Sequence, residues 1–212
     1  RPYVRLKVAA SLDGRTAMAS GESKWVTGEA ARADVQAWRA RSCAIVTGAE
    51  TVLIDDPAMT VRDPAFSFEG VIRQPLRVVL DSSLRVPASA GLFAEPGSTL
   101  LVYTNGTPAH ESAEYLQLPA VNGRVDLEAL LKALGERTCY EVLVDAGPTL
   151  IGAFLESGLW DELLMYVAPK LLGSDARPLA QLPFARMLEA IEAKIAHRDA
   201  LGDDLRLRLV PA

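Results

Sequence analysis

A predicted strand that leads directly into a predicted helix is one candidate functional site in this sequence. The stretch VLVDAGPTLIGAFLESG, residues 142–158, begins with apolar residues typical of a buried strand and ends in a helical pattern. A helix that begins beyond a strand's carboxyl end offers unpaired backbone N–H groups to an anion such as phosphate. The motif alone favours a plainer interpretation, in which a Gly-Pro turn simply joins strand to helix.

The residue types in this turn suit the binding of an anion. Gly147 permits close approach of the backbone, Pro148 presets the first helical turn, and Thr149 adds a hydroxyl group. Gly158 is placed to end the helix. The turn therefore predicts a phosphate site only if the rest of the sequence supplies a context for one.

The first third of the chain supplies polar groups directly after apolar runs. Asp13 lies in a turn, Trp25 precedes a predicted helix, and Arg39 lies in that helix's last turns. Each also has a structural interpretation: Asp13 as a turn former, Trp25 as a core residue, and Arg39 as a cation facing the helix dipole. Singly, those structural interpretations are favoured.

Longer runs of sequence indicate a family. The runs SLDGRTAMASGESKW, TVLIDDPAMTVR, DAGPTL and VAPKLLGSDAR together resemble the reductase domain of the bifunctional riboflavin-biosynthesis deaminase–reductase, in order and spacing, over residues 1–212. The resemblance implies one NADPH-dependent reductase domain of the dihydrofolate-reductase-like α/β fold, a three-layer α/β/α arrangement with a mixed, largely parallel sheet. It also implies activity as a 5-amino-6-(5-phosphoribosylamino)uracil reductase.

Bacterial members usually carry a zinc deaminase domain ahead of the reductase, with a His-x-Glu pair and a Pro-Cys-x-x-Cys pair. Neither pair occurs in this sequence, so we expect no deaminase domain and no metal site in the chain. The sequence leaves open whether the chain is a separate domain, a fragment or a stand-alone reductase.

The resemblance assigns two sets of binding residues. For NADPH they are Ala9, Trp25, Thr51, Asp55, Ser82 and the turn Gly147, Pro148, Thr149, Leu150, Ile151, Gly152 and Ala153, whose anion is then the pyrophosphate. For the substrate they are Ser23, Arg39, Met59, Arg62 and Asp145, with Lys7 nearby on the first strand. Two arginines suit a sugar phosphate, because a guanidinium group binds phosphate oxygens in a bidentate fashion.

The resemblance also implies a reaction, the transfer of hydride to the imine carbon of the ring-opened ribose. Asp55 and Asp145 are the candidates for stabilising the cationic imine, and Lys7 for orienting a sugar oxygen. The proton donor is left open between these residues and water. The family usually has glutamate where this chain has Asp145, which is one methylene shorter, so a water molecule could carry its substrate contact.

The elements that must position these residues are predicted by apolar runs of strand length. The runs YVRLKVAA, CAIVTG, LRVVLD, TLLVY, YEVLV and ELLMYVAP are mostly continuous, as in strands buried on both faces of a parallel sheet. Apolar stripes after Thr27 and after Asp126 predict two capped helices that cover the sheet.

The end of the chain alternates between apolar and polar residues. IEAKIAHRD and LRLRLVP flank a turn at residues 200–204 and predict an antiparallel hairpin. The apolar residues Leu205, Leu207, Leu209 and Val210 exceed the need of a strand at a solvated rim, which favours a homodimer near this hairpin. The alternative, that the hairpin only completes the sheet, is nearly as well supported.

Composition limits the classes of partner. With 27 acidic against 22 basic residues and a net charge of -5, the chain lacks the basic excess of nucleic-acid-binding proteins. Cys43 and Cys139 are far apart and predict buried thiols in a reducing cytoplasm. The sequence shows no membrane-spanning run and no signal peptide, so we expect neither membrane nor export. His110 and His197 are predicted to have structural roles.

Two other functions remain open at this point. A reductase of the same fold that acts on another heterocycle, such as a pterin, would not need both Arg39 and Arg62. A non-catalytic nucleotide-binding domain would bind NADPH without turnover, and fold alone does not exclude it.

Overall fold

The computed structural model describes residues 1–109 and 111–212, so His110 lies outside the described residues. Its helices are α1 (Glu29–Arg41), α2 (Ala49–Asp55), α3 (Leu127–Glu136) and α4 (Pro148–Glu156). Its strands are β1 (Tyr3–Ser11), β2 (Arg15–Ala17), β3 (Ala44–Gly48), β4 (Ser67–Phe68), β5 (Val71–Ile72), β6 (Leu76–Leu80), β7 (Thr99–Tyr103), β8 (Glu114–Gln117), β9 (Ala120–Val121), β10 (Arg124–Val125), β11 (Glu141–Asp145), β12 (Glu162–Ala168), β13 (Arg177–Pro178), β14 (Ala193–Leu201) and β15 (Asp204–Pro211).

The described chain forms two compact units. The first unit comprises Arg1–Tyr3 and Gln36–Val144, and the second comprises Val4–Val35 and Asp145–Ala212. Helix α1 therefore begins in the second unit and ends in the first. The single reductase domain expected over residues 1–212 stays a prediction.

The first unit contains strands paired in parallel. Strand β3 pairs with β11 and β6, β6 pairs with β7, and β7 pairs with β8. The predicted strands are buried on both faces of the sheet. Ile45 and Val46 are consecutive and fully buried, and so is Val78, which pairs with Val46 on the neighbouring strand. This part of the sheet confirms the parallel arrangement that the continuous apolar runs predict.

Two helices of the first unit contrast in how the sequence encodes them. Asp126 caps α3 as predicted, because its carboxylate accepts hydrogen bonds from the N–H groups of Glu128 and Ala129. Helix α2 was not predicted. It has seven residues, of which only Ala49 and Val52 are buried, so the apolar period is too short to recognise.

The second unit contains the mixed pairing and the C-terminal hairpin. Strand β1 runs parallel to β12, while β12 pairs antiparallel with β15, which in turn pairs antiparallel with β14. The hairpin turn lies between Leu201 and Asp204, inside the predicted range. The expected antiparallel hairpin is therefore confirmed.

A buried ion cluster joins three strands of the second unit. Arg5 on β1 donates to the Glu162 carboxylate at 2.7 Å, and Arg208 on β15 donates to its other oxygen. Burial favours the neutral acid, but the hydrogen bonds from Arg208 and Arg5 outweigh it and lower the pKa of Glu162. Since Glu162 is 1% exposed, removing either arginine would leave a buried charge poorly compensated.

The start of α1 differs by one residue from the prediction. The sequence indicated Thr27 as the capping residue, whereas the helix begins at Glu29, so Gly28 takes the capping position. A distant carboxylate replaces the local cap, since the Gly28 N–H donates to Asp204 Oδ2 at 2.6 Å. No helix among residues 1–109 and 111–212 is long and apolar enough to cross a membrane.

Candidate functional site

An ion pair in the second unit brings together two of the predicted catalytic residues. Lys7 Nζ lies 3.2 Å from Asp145 Oδ1, and the two side chains are 17% and 19% exposed. Lys7 lies within β1 and Asp145 is the last residue of β11. Partial burial strengthens this pair relative to a surface pair, so it can hold a fixed charge beside a substrate.

The turn after Asp145 leads to the predicted anion-binding helix. Helix α4 begins at Pro148, and its capping residue, Gly147, has no side chain that could cap the helix. Ile151 and Phe154 are fully buried and anchor the helix in the core of the second unit. Gly158 has a φ of 68°, the left-handed conformation that ends a helix, as the sequence predicts.

These residues fit a nucleotide cofactor. Gly147 at the capping position has no side chain, so the backbone at the start of α4 can approach a pyrophosphate closely, and the helix dipole there favours an anion. The Thr149 hydroxyl donates to Gln181 Oε1 at 2.8 Å. Sequence reasoning missed Gln181, because the contact joins residues that are 32 positions apart and no local motif marks it.

Three further predicted residues lie in the second unit. Ala9 is on β1 and is partly buried, opposite Tyr166 on β12. Trp25 is 62% exposed, which excludes its interpretation as a core residue. The Arg32 guanidinium lies 4.6 Å from the centre of the Trp25 ring, a cation–π geometry that helps to fix the ring. Ser23 lies just before Trp25 and is partly buried, and its carbonyl accepts from Val26 N–H.

A polar cluster in the second unit was also missed. Tyr166 is fully buried and donates its hydroxyl to Asp34 Oδ2 at 2.7 Å, and Arg206 donates to both oxygens of Asp34. Burial, followed by the Asp34 hydrogen bond, raises the pKa of Tyr166, so the phenol stays protonated. Asp34 on α1 and Arg206 on β15 are far apart in sequence, so their pairing has no local signal.

Asp13 holds a loop of the second unit. Its carboxylate accepts hydrogen bonds from the Ser11 hydroxyl and from the N–H groups of Leu172 and Gly173. The Ser11 hydrogen bond is the largest cause of a lowered pKa, about 2 against an ordinary value of 3.8. Asp13 therefore joins two of the runs that carry the family resemblance, SLDGR and VAPKLLG.

The first unit holds the other residues predicted for NADPH. Thr51 and Asp55 lie on α2, with Asp55 as its last residue. Asp56 follows in a left-handed conformation, and its carboxylate accepts from Gly91 N–H at 2.8 Å. Ser82 follows β6, and its hydroxyl oxygen accepts from Val125 N–H at 3.2 Å.

The residues predicted for the substrate in the first unit differ in exposure. Arg39 is partly buried and donates to the Thr60 carbonyl at 3.4 Å. Arg62 has an exposed side chain, while its backbone N–H donates to Gln36 Oε1 at 2.8 Å. Met59 is 3% exposed and has a φ of 51°, a left-handed conformation.

The structure thus joins Lys7 to Asp145 directly and places Asp145 three residues before α4. The remaining site assignments stay predictions.

Cys43 and Cys139 are both unpaired thiols, but only Cys139 is buried, whereas the sequence predicted burial for both. Among the described residues, no group of three or more His, Cys, Asp or Glu side chains has the geometry of a metal site.

Comparison with protein families gives one match that spans nearly the whole chain. The model of the RibD C-terminal domain matches residues 2–207. The riboflavin biosynthesis protein RibD of Escherichia coli is 45% identical over 221 residues, which cover 100% of this chain and 60% of that protein. RibD of Haemophilus influenzae is 40% identical and is covered to 59%. The chain therefore spans about three fifths of the length of these relatives.

Solved structures agree in fold. Acinetobacter baumannii RibD has a TM-score of 0.86 at 42% identity, covering 100% of this chain and 58% of that chain. The deaminase/5-amino-6-(5-phosphoribosylamino)uracil reductase of Thermotoga maritima has a TM-score of 0.85 at 25% identity, with 57% of that chain covered. The riboflavin biosynthesis reductase Rib7 of yeast, at 18% identity, supports the fold alone, with a TM-score of 0.78. The predicted dihydrofolate-reductase-like α/β fold is thereby confirmed.

Proposed function

The chain belongs to the RibD C-terminal domain family, and we propose that it reduces 5-amino-6-(5-phosphoribosylamino)uracil with NADPH to the phosphoribitylamino product. The Thermotoga maritima relative is named as a reductase of this compound. The observation that carries the proposal is the partly buried pair of Lys7 and Asp145, at 3.2 Å, with Asp145 three residues before the start of α4.

The proposed cofactor contacts follow from the family and from the chemistry of the residues. In the second unit they are Ala9, Trp25 and the turn Gly147 to Ala153, with the pyrophosphate at the start of α4. In the first unit they are Thr51, Asp55 and Ser82. When bound, NADPH supplies the hydride, and the protein holds the acceptor carbon in reach and keeps water out.

The two paired side chains have separate parts in the proposed reaction. The ring-opened ribose carries a cationic imine, and the Asp145 carboxylate stabilises that positive charge. Lys7 Nζ, held at 3.2 Å by Asp145, donates a hydrogen bond to a sugar oxygen and so orients the imine carbon. Hydride adds to that carbon, the nitrogen becomes a neutral amine, and one proton is taken up at the opened ring oxygen.

Phosphate recognition is the part we propose for the first unit. Arg39 and Arg62 would bind the substrate's phosphate, with Met59 and, in the second unit, Ser23 as further substrate contacts. Each guanidinium can give a charge-assisted hydrogen bond to a phosphate oxygen. This arrangement separates the proposal from a pterin reductase, whose substrate has no phosphate.

The decisive experiment is an absorbance assay of NADPH consumption with freshly prepared substrate. We expect loss of absorbance at the NADPH band only when both compounds are present, with formation of the ribitylamino product. Binding of NADPH without turnover of this substrate would instead support a non-catalytic nucleotide-binding domain.

We also propose a cytoplasmic homodimer that belongs to a longer, deaminase-containing protein. The thiols of Cys43 and Cys139 are unpaired, which fits a reducing compartment. The chain spans 60% of E. coli RibD, which leaves room in such a protein for a second domain.

A further inference from the structure

A short segment after β13 lies against the start of α4 in the second unit. The segment comprises residues 179–183, and its central residue is Gln181. Pro148 is the first residue of α4, and its carbonyl accepts a hydrogen bond from the Gln181 N–H at 2.9 Å. This hydrogen bond fixes the backbone of the segment to the first turn of the helix.

Gly152 shows how closely the segment approaches the helix. A Cβ atom built on Gly152 would lie 2.1 Å from the Gln181 carbonyl oxygen and 2.9 Å from its carbonyl carbon. Both atoms belong to the backbone and have no flexible end that could move aside. Glycine at position 152 is therefore required by this contact, since any side chain would push the segment off the helix.

The side chain of Gln181 makes the third contact. The Thr149 hydroxyl donates its proton to Gln181 Oε1 at 2.8 Å, which selects one rotamer of Thr149. Thr149 is the second residue of α4 and one of the residues we propose to contact NADPH. Gln181 thus contacts three positions within the first five residues of α4, namely residues 148, 149 and 152.

We propose that Gln181 is a positioning residue for the cofactor site, which holds the first turn of α4 and the side chain of Thr149 in place before NADPH binds. This inference rests on the proposed function, because it concerns the same site. An unconstrained threonine would have to be ordered on binding, at a cost in affinity.

The test is a double-mutant cycle on NADPH affinity. The dissociation constant is measured by titration of the whole chain and of the variants Gln181→Ala, Thr149→Val and the double variant. We expect Gln181→Ala to raise the dissociation constant about 3- to 10-fold, as for the loss of one neutral hydrogen bond. The double variant should bind no more weakly than Thr149→Val alone, because the two residues act through one contact.

Matched measurements separate a positioning role of Gln181 from a general loss of order in the protein. Gln181→Ala should raise the KM for NADPH but leave the KM for the aminouracil within about two-fold. Gln117→Ala removes the hydrogen bond from another exposed glutamine to the Thr104 carbonyl and should leave both KM values unchanged. Gly152→Ala keeps both side chains but displaces the segment, so it should weaken NADPH binding more than Gln181→Ala does.

Each opposite result has a distinct meaning. Wild-type affinity in Gln181→Ala or Gly152→Ala, additive effects in the cycle, or an equal rise of both KM values would each overturn this inference and leave the proposed function standing. Failure of the unmodified chain to bind NADPH would overturn the proposed function and the inference together.

Discussion

At the scale of single residues, the charge of Asp145 is the feature on which the proposed reaction depends most. Asp145→Asn keeps the shape and removes the charge, so Lys7 and the cationic imine lose a carboxylate partner. We expect kcat to fall about 10- to 100-fold, as for the loss of one charge-assisted hydrogen bond, with little change in the KM for NADPH. Steady-state kinetics with each substrate varied in turn measures both effects.

A surface carboxylate gives the control for this change. Glu114→Gln removes an exposed ion pair with Arg137, at 2.9 Å, and should leave kcat unchanged. Asp145→Glu lengthens the side chain to the family's usual glutamate and should retain activity. Wild-type kcat in Asp145→Asn would contradict the role that we assign to the pair.

Arg62 offers a second test at the residue scale, because its side chain is exposed and its removal should not disturb the fold. Arg62→Ala should raise the KM for the aminouracil about 10- to 100-fold, through loss of a charge-assisted phosphate contact. The KM for NADPH should not change. Arg85→Ala, which breaks an exposed ion pair with Glu50, is the control. Equal KM values in Arg62→Ala, Arg39→Ala and the wild type would favour a substrate without phosphate.

At the scale of elements, Asp13 ties the turn after β1 to the loop after β12, and its ionisation predicts a pH dependence. The Ser11 hydrogen bond, with those from Gly173 and Leu172, lowers the pKa of Asp13 from 3.8 to about 2. The stabilisation is therefore complete above pH 3.8 and is lost as the pH falls towards 2. Asp13→Asn should lower Tm by about 2–4 °C at pH 7.

The same variant should lose its effect in acid, where Asp13 itself becomes protonated. Thermal melts of both proteins between pH 7 and pH 2 measure the difference in Tm. Asp203→Asn, in the exposed hairpin turn, is the control and should match the wild type at every pH. A difference in Tm that stays constant across this range would show that the charge of Asp13 does not stabilise the loop.

Elements also show how far the sequence predicts this structure. Continuous apolar runs locate β3, β6, β7 and β11, because strands buried on both faces are apolar at most positions. Helix α2 and strand β8 have few buried residues and therefore give no period to recognise. Helix α1 begins one residue later than predicted, and its start is held by a carboxylate 176 positions away, since Gly28 N–H donates to Asp204.

The residues of the candidate site also divide into those that the local sequence reveals and those that it does not. Residues in continuous runs, such as Asp145 and the turn before α4, are recognisable because the local sequence carries both strand and helix signals. Gln181 acts through its backbone and through a contact across 32 positions, which leaves no pattern in a single sequence. Asp34 and Tyr166 are 132 positions apart, and their hydrogen bond is equally invisible before folding.

At the scale of the whole molecule, the C-terminal hairpin predicts an assembly. Strand β14 is exposed along most of its length, and Ile195 and Leu205 are 57% and 48% exposed. Within residues 1–109 and 111–212, β14 pairs only with β15, so one edge of this strand is open. An open edge beside exposed apolar residues is normally covered in the native protein.

We therefore expect a homodimer of two-fold symmetry that buries the hairpin of each copy. Light scattering at micromolar concentration should give a particle of about twice the 22.8 kDa chain mass. Ile195→Glu places a charge on the exposed strand and should shift the mass towards the monomer without unfolding the chain, since this side chain packs little within one copy. Glu192→Gln, also exposed, should leave the mass unchanged. A wild-type particle of monomer mass would contradict the homodimer. The exposed apolar residues would then remain in solvent, and the hairpin would only complete the fold of one copy.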